Sequence, residues 1–270
     1  MNFYKEKDIQ NIKSYKFDFI ELDETDHVFT VTLNRPKKKN ALHPQMINEI
    51  AFAFQYAFYN NNIRAVLLKS NGDVFCSGMD LKALAGDIEK NNSTIPEPNS
   101  KILIGELFNK LYKPKICQLN GDVYAGGILL VAGCNYVIST KNIKLGLPEV
   151  KRGIFPMQVM ESLSKIISIR NVIDWCVRGY NLDVSIAKKW GLVSKVVKKE
   201  VLENETQKWL MEVTSNSPTA IRLGLEALDK INSSELNHLY LSEMLEKVLN
   251  SADAKEGINA FKNKRTPNWK

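Results

Sequence analysis

Short runs of β-branched and aromatic residues alternate with stretches of helical periodicity, and this alternation constrains the fold of the chain more than any other feature. Residues 28–33, V-F-T-V-T-L, read as a strand. Asn34-Arg35-Pro36 ends it, because Pro36 brings no N–H to a ladder. After the polar K-K-K-N, His43-Pro44 opens a helix with the proline at a tolerated first-turn position. Met46, Ile47, Ile50, Ala51, Phe54, Ala57 and Phe58 recur at three- and four-residue steps, which carries an amphipathic helix to about Tyr59. Residues 64–69, R-A-V-L-L-K, form the next buried strand. V-F-C-S-G-M-D-L-K-A-L (74–84) then reads as a strand, a Ser–Gly turn and a short helix. Residues 86–100 are polar with two prolines and are expected to be a mobile loop.

A helix over 101–111 and a strand over 115–119 follow, then the turn Asn120-Gly121, an apolar helix and a strand over 136–139. Beyond Pro148-Glu149 come two helical segments to about Gly179, a short helix over 185–190 and a last strand over 192–197. Strands alternating with helices imply an α/β chain with a largely parallel sheet system. From Val201 the pattern is helical to Ala260, with breaks near Ser217-Pro218 and Asn232-Ser233. Residues 1–200 are therefore expected to form the core and 201–270 a helical C-terminal region.

Composition excludes several functions. The net charge is +7, with small basic clusters at Lys37-Lys38-Lys39, Lys188-Lys189, Lys198-Lys199 and 262–265. These serve as solvated surface or attract a polyanionic ligand. No zinc-finger spacing, RNA-binding signature or continuous basic stripe is present, which speaks against nucleic acid. The four cysteines, Cys76, Cys117, Cys134 and Cys176, form no C-x-x-C pair, so no metal or redox site is expected. The three histidines are scattered and offer no material for a His-based triad. The start M-N-F-Y-K-E-K-D is charged, unlike a secretory signal, and the apolar run around 127–132 is too short to span a bilayer. A reduced, cytoplasmic setting is the expectation.

Three stretches carry candidate chemistry. Gly126-Gly127 precedes the apolar helix, and backbone without side chains can approach a ligand closely. Amides at a helix start lack intrahelical partners, which makes them donors for an oxyanion. The same glycines serve equally well for close packing. Ser77-Gly78-Met79-Asp80 is a second strand-to-helix turn, where Asp80 is expected to cap the helix. Glu149, after Pro148, suits a general base or a helix-start carboxylate.

Six stretches occur in order: N-R-P-K-K-K-N-A-L (34–42), V-F-C-S-G-M-D-L (74–81), L-N-G-x-x-x-A-G-G (119–127), L-P-E-V-x-x-G-I-F-P (147–156), A-x-x-W-G-L-V (187–193) and K-N-K-R-T-P-N-W (262–269). From about residue 17 onward this series resembles the enoyl-CoA hydratase/isomerase family, the crotonases. The resemblance implies a stacked β-β-α spiral core and a C-terminal oligomerisation region. It also implies homotrimers or hexamers and an acyl-CoA thioester substrate handled in fatty-acid metabolism. No cofactor is implied beyond the coenzyme A of the substrate. By position the two oxyanion donors are the backbone amides of Met79 and Gly126, and the acid/base is Glu149. Lys38, Ala41 and Leu42 fall near the adenosine and pantetheine. Phe261 and Lys264 reach in from a neighbouring subunit. Tyr124 stands close enough to the glycines to donate to the substrate.

One departure bears on the reaction. Hydratases of this family hold water between two glutamates, the first of them three residues after the oxyanion glycine. That position is Leu129, which faces the substrate with an apolar side chain and cannot deprotonate water. A single glutamate at position 149 suits an isomerase, which moves a proton from C2 to C4 of a 3-enoyl-CoA. A second acid from Asp80, Asp87, Glu106 or Asp122 would restore hydration. A decarboxylase or lyase, and a non-catalytic acyl-CoA binder, remain alternatives.

Overall fold

A computed structural model of the chain describes residues 1–232 and 250–268, and its strands fall into two sheets. The larger has the order β1 (Ile20–Thr25), β2 (Val28–Leu33), β3 (Ala65–Ser70), β5 (Lys115–Leu119), β7 (Tyr136–Thr140), β10 (Lys195–Val197). β1 and β2 pair antiparallel and every later neighbour pairs parallel. The smaller sheet has the order β4 (Val74–Cys76), β6 (Asp122–Tyr124), β8 (Lys144–Gly146), β9 (Asn181–Asp183), with only β8–β9 antiparallel.

The connections between the sheets make the spiral. β3 leads to β4 and then to helices α3 (Leu81–Leu84) and α4 (Ile104–Asn109). β5 leads to β6 and α5 (Gly127–Ala132), and β7 leads to β8 and, past a 3₁₀ turn at Pro148–Arg152, to α6 (Met157–Ser164). Each turn is β-β-α, as in the stacked core of the crotonases, and each places a strand end and a helix start at the same rim.

The strands of the larger sheet are apolar on both sides because both sides are covered. Side chains alternate across a strand. Val66, Leu68, Cys117, Leu119 and Val137 enter the main core, while Ala65, Leu67, Ile116 and Ile138 face a second cluster. That second cluster is closed by Leu202 and Leu210 of α9 (Leu202–Thr214), with Trp209 stacked on Tyr136. The first helix of the 201–270 region is thus part of its own chain's core. α10 (Pro218–Asn232) and α11 (Ala252–Lys262) follow it.

α2 (Pro44–Tyr59) runs over the residues expected, with His43 Nδ1 accepting from the Gln45 amide at 3.1 Å at its start. The helix expected over 101–111 is shorter, at Ile104–Asn109, and the last strand is Lys195–Val197. Residues 86–100 lack regular structure, but they are tied to the N-terminal segment. The Thr94 amide donates to Lys16 O (3.0 Å), Asn92 to Asp18 Oδ2 (3.0 Å) and Asn99 to Phe3 O (2.7 Å), and Ile95 is buried. The expected mobile loop is a fastened strap. Among the described residues no helix is long and apolar enough to cross a membrane.

Candidate active site

Two turns at the rim bring two backbone amides together. After β4, Gly78 takes φ +92°, and a Cβ there would fall 2.6 Å from Ala125 Cβ and 3.0 Å from Tyr124 O. Both its conformation and its neighbours demand glycine. After β6, Ala125 is held in the left-handed region at φ 51°, a strained setting for a residue with a side chain. Gly126 then enters helical geometry at φ −55°, ψ −18°.

Leu42 bridges this turn in parallel fashion: its amide donates to Gly78 O (2.8 Å) and its carbonyl accepts from Asp80 N (3.1 Å). Those bonds use the groups flanking Met79 and turn the Met79 amide the other way. Among the described residues neither the Met79 nor the Gly126 amide has an acceptor. A Cβ built on Gly126 would lie 3.7 Å from Met79 N, so the two amides open onto one space. Gly127 has a different task. A Cβ there would come within 2.9 Å of Cys76 Cβ, O and Sγ, so its bareness lets α5 lie on β4.

The 3₁₀ turn after β8 supplies the carboxylate. Glu149 Oε2 is buried without a hydrogen-bond partner. Burial pushes the Glu149 carboxyl above the usual carboxylate range, against the pull of its own amide and of the Arg152 charge. Met79, Gly126 and Glu149 line one cleft of about 670 Å³, together with Lys38 and Ala41. An oxygen accepting from the two amides would share this cleft with the Glu149 carboxyl.

Other expected residues sit elsewhere. Leu42 is fully buried behind the cleft as the bridge partner of Met79. Leu129 is 4% exposed, belongs to the main core and is not among the cleft-lining residues. Tyr124 does not line the cleft either. Its hydroxyl donates to Asp122 Oδ2 at 2.7 Å, and burial together with that carboxylate pushes the phenol up to about 12. Lys264 is exposed on the C-terminal segment and is not a cleft residue of its own chain. The Phe261 side chain lies outside the described residues.

The alternative acids divide as clearly. Glu106 pairs with Lys110, and Asp122 accepts from Tyr124 and the Lys144 amide. Asp80 caps α3, accepting from Lys82 N (3.0 Å) and Ala83 N (3.4 Å), as expected. Asp87 lines the cleft.

Sequence reasoning missed Arg35, which is 7% exposed and lines the cleft. Its guanidinium donates to Asp80 Oδ2 (2.7 Å), Ala41 O (3.1 Å) and Glu89 Oε2 (2.5 Å) and lies over the Phe19 ring. Burial acts to raise the Asp80 carboxyl, but the Arg35 hydrogen bond and charge with the two amides hold it below its ordinary value. Arg35 thus locks the 41–42 segment to the turn that presents Met79. Its two carboxylate partners lie 45 and 54 positions away in sequence, so no local pattern announces them.

Comparison with known proteins shows the family. Residues 23–270 match the sequence family described as enoyl-CoA hydratase/isomerase. A mevalonyl-coenzyme A hydratase of Aspergillus fumigatus is 28% identical over 251 residues, covering 91% of this chain and 92% of that protein. A probable mitochondrial enoyl-CoA hydratase of Dictyostelium discoideum is 30% identical over 252 residues, covering 92% of this chain and 89% of the other. The crystal structure of an enoyl-CoA hydratase/isomerase from Mycobacterium paratuberculosis superposes with a TM-score of 0.83 at 27% identity, over 94% of this chain and 99% of that one.

Proposed function

The chain belongs to the enoyl-CoA hydratase/isomerase family, and from that premise we propose that it is an enoyl-CoA isomerase using Glu149 as its single acid/base. The thioester oxygen of a 3-enoyl-CoA accepts from the Met79 and Gly126 amides. Glu149 removes a proton from C2, the charge moves onto that oxygen, and Glu149 returns the proton at C4. The double bond ends in conjugation with the thioester. Lys38 and Ala41 lie along the coenzyme A moiety, and Lys264 and Phe261 serve the cleft of an adjoining subunit in a homotrimer or hexamer. No cofactor is required.

The carrying observation is the buried, partnerless Glu149 Oε2 in the cleft that Met79 and Gly126 line. Isomerisation is supported over hydration by the carboxylates around it. Leu129 supplies none, and Asp80 and Glu89 are engaged by Arg35. A water held by Glu149 alone lacks a second carboxylate to orient it. Hydration is the second reading, because Asp87 lines the cleft and the two curated relatives above are named hydratases.

Purified protein with a 3-enoyl-CoA tests the choice. A new conjugated absorbance without a gain in mass is expected. A gain of one water by a 2-enoyl-CoA with no change in the 3-enoyl-CoA overturns the isomerase reading, and loss of that gain in Asp87→Asn then identifies the second acid.

A further inference from the structure

Arg152 ends the same 3₁₀ turn that carries Glu149. In a 3₁₀ helix residues three apart eclipse one another, about 6 Å along the axis. The two side chains therefore share a face, and both line the cleft. Among the described residues the Arg152 side chain has no hydrogen bond and no ion pair, although its charge acts on Glu149. Arg35, the other arginine of the cleft, is consumed by Asp80 and Glu89. The cleft also presents Leu81, Leu84 and Ile154, apolar side chains that are exposed.

We propose that Arg152 receives a carboxylate at the far end of the acyl group, so that the preferred substrate is the coenzyme A thioester of a short dicarboxylic acid. This rests on the reading of the cleft as an acyl-CoA site. With the thioester oxygen on the Met79 and Gly126 amides, the α-carbon faces Glu149. The chain then runs along the turn that holds Glu149 and reaches Arg152 one helical turn later. Leu81, Leu84 and Ile154 cover its methylene groups. A guanidinium recognises a carboxylate through two parallel N–H donors, which fixes the end of the chain as well as its charge. An acyl group without a terminal carboxylate would leave that cation facing apolar carbon.

Calorimetric titration with two saturated ligands, glutaryl-CoA and pentanoyl-CoA, tests the proposal without any turnover. The ratio of the two affinities is the readout, because any effect of a substitution on coenzyme A binding cancels in it. The wild-type protein is expected to favour glutaryl-CoA about tenfold, as for a charge-assisted pair that is partly solvated. Arg152→Gln should bring the ratio close to one, and Arg152→Lys should keep part of it. Equal affinities in the wild type overturn the Arg152 proposal and leave the acyl-CoA reading intact. A ratio that falls in Lys82→Gln but not in Arg152→Gln also overturns it, since Lys82 is another cation lining the cleft. Binding of neither ligand to protein with a native circular-dichroism spectrum refutes the acyl-CoA reading and the Arg152 proposal with it.

Discussion

Replacing Gly126 by alanine adds one methyl group to the space between the Met79 and Gly126 amides. Gly126 is already in helical geometry, and the new carbon would sit 3.4 Å from Met79 Cγ, 3.7 Å from Met79 N and 3.8 Å from Leu42 Cδ1. These are contacts the fold absorbs with little movement. Removing a glycine also restricts the unfolded chain, which favours folding by about 0.4–1 kcal/mol. Stability should therefore stay within about 1 kcal/mol of the wild type. Catalysis should not survive so well. An oxygen accepting from both amides needs to lie about 2.9 Å from each nitrogen, and the methyl occupies that approach. Loss of one such donor costs about 100- to 1000-fold in rate.

Gly127→Ala makes the contrasting control. Its methyl would lie 2.9 Å from three atoms of Cys76, one of them a backbone oxygen that cannot swing aside. Overpacking of this kind costs about 1–3 kcal/mol. Melting curves at one protein concentration and kcat/KM from the same preparations separate the two variants. Gly126→Ala should melt with the wild type and turn over poorly, and Gly127→Ala should melt several degrees lower. Full activity in Gly126→Ala would sink the oxyanion assignment. An unchanged melting temperature in Gly127→Ala would sink the packing argument.

Glu149→Gln should lose about 100- to 10,000-fold in turnover while still binding acyl-CoA, measured by rapid kinetics and titration on one sample. Burial makes native Glu149 hold its proton more tightly than the unfolded chain does. Stability therefore falls as pH rises from the ordinary carboxylate value through the raised one. Glu149→Gln should accordingly be the more stable protein at neutral pH, with the difference vanishing in acid, as urea midpoints across pH would report. The pH–rate profile should rise through a pKa above the usual carboxylate range, and a limb at the ordinary value would contradict the burial argument. Arg35→Met strips the Asp80 carboxylate and the Ala41 carbonyl of their shared donor and should cost about 1.5–3 kcal/mol. Asp80→Asn in that background should cost less than it does alone, and strict additivity would show the pair to be uncoupled.

The elements that could be read from the sequence are those whose packing leaves a periodic trace. Val28–Leu33, Lys115–Leu119 and Pro44–Tyr59 appear where expected because each buries a continuous or amphipathic run. β6, β8 and β9 are three residues each, too short for alternation to show. β1 escaped notice because its outer residues, Asp23, Glu24 and Thr25, are exposed and polar, as suits an edge strand. Tyr124 was singled out for its closeness in sequence to Gly126. It stands on a short strand whose geometry sends its hydroxyl to Asp122.

The reaction centre poses a harder problem, because its donors are backbone amides, which every residue carries. A sequence can mark such a place only by what is missing from it. Gly78, Gly126 and Gly127 are all bare, yet the first is required by a left-handed turn against Ala125 and the third by the Cys76 backbone. Only Gly126 has room for a methyl at little cost to the fold. Of the three, it is the one whose bareness packing does not explain, and that excess of space beside the Met79 amide is the strongest structural reason to look for a ligand there.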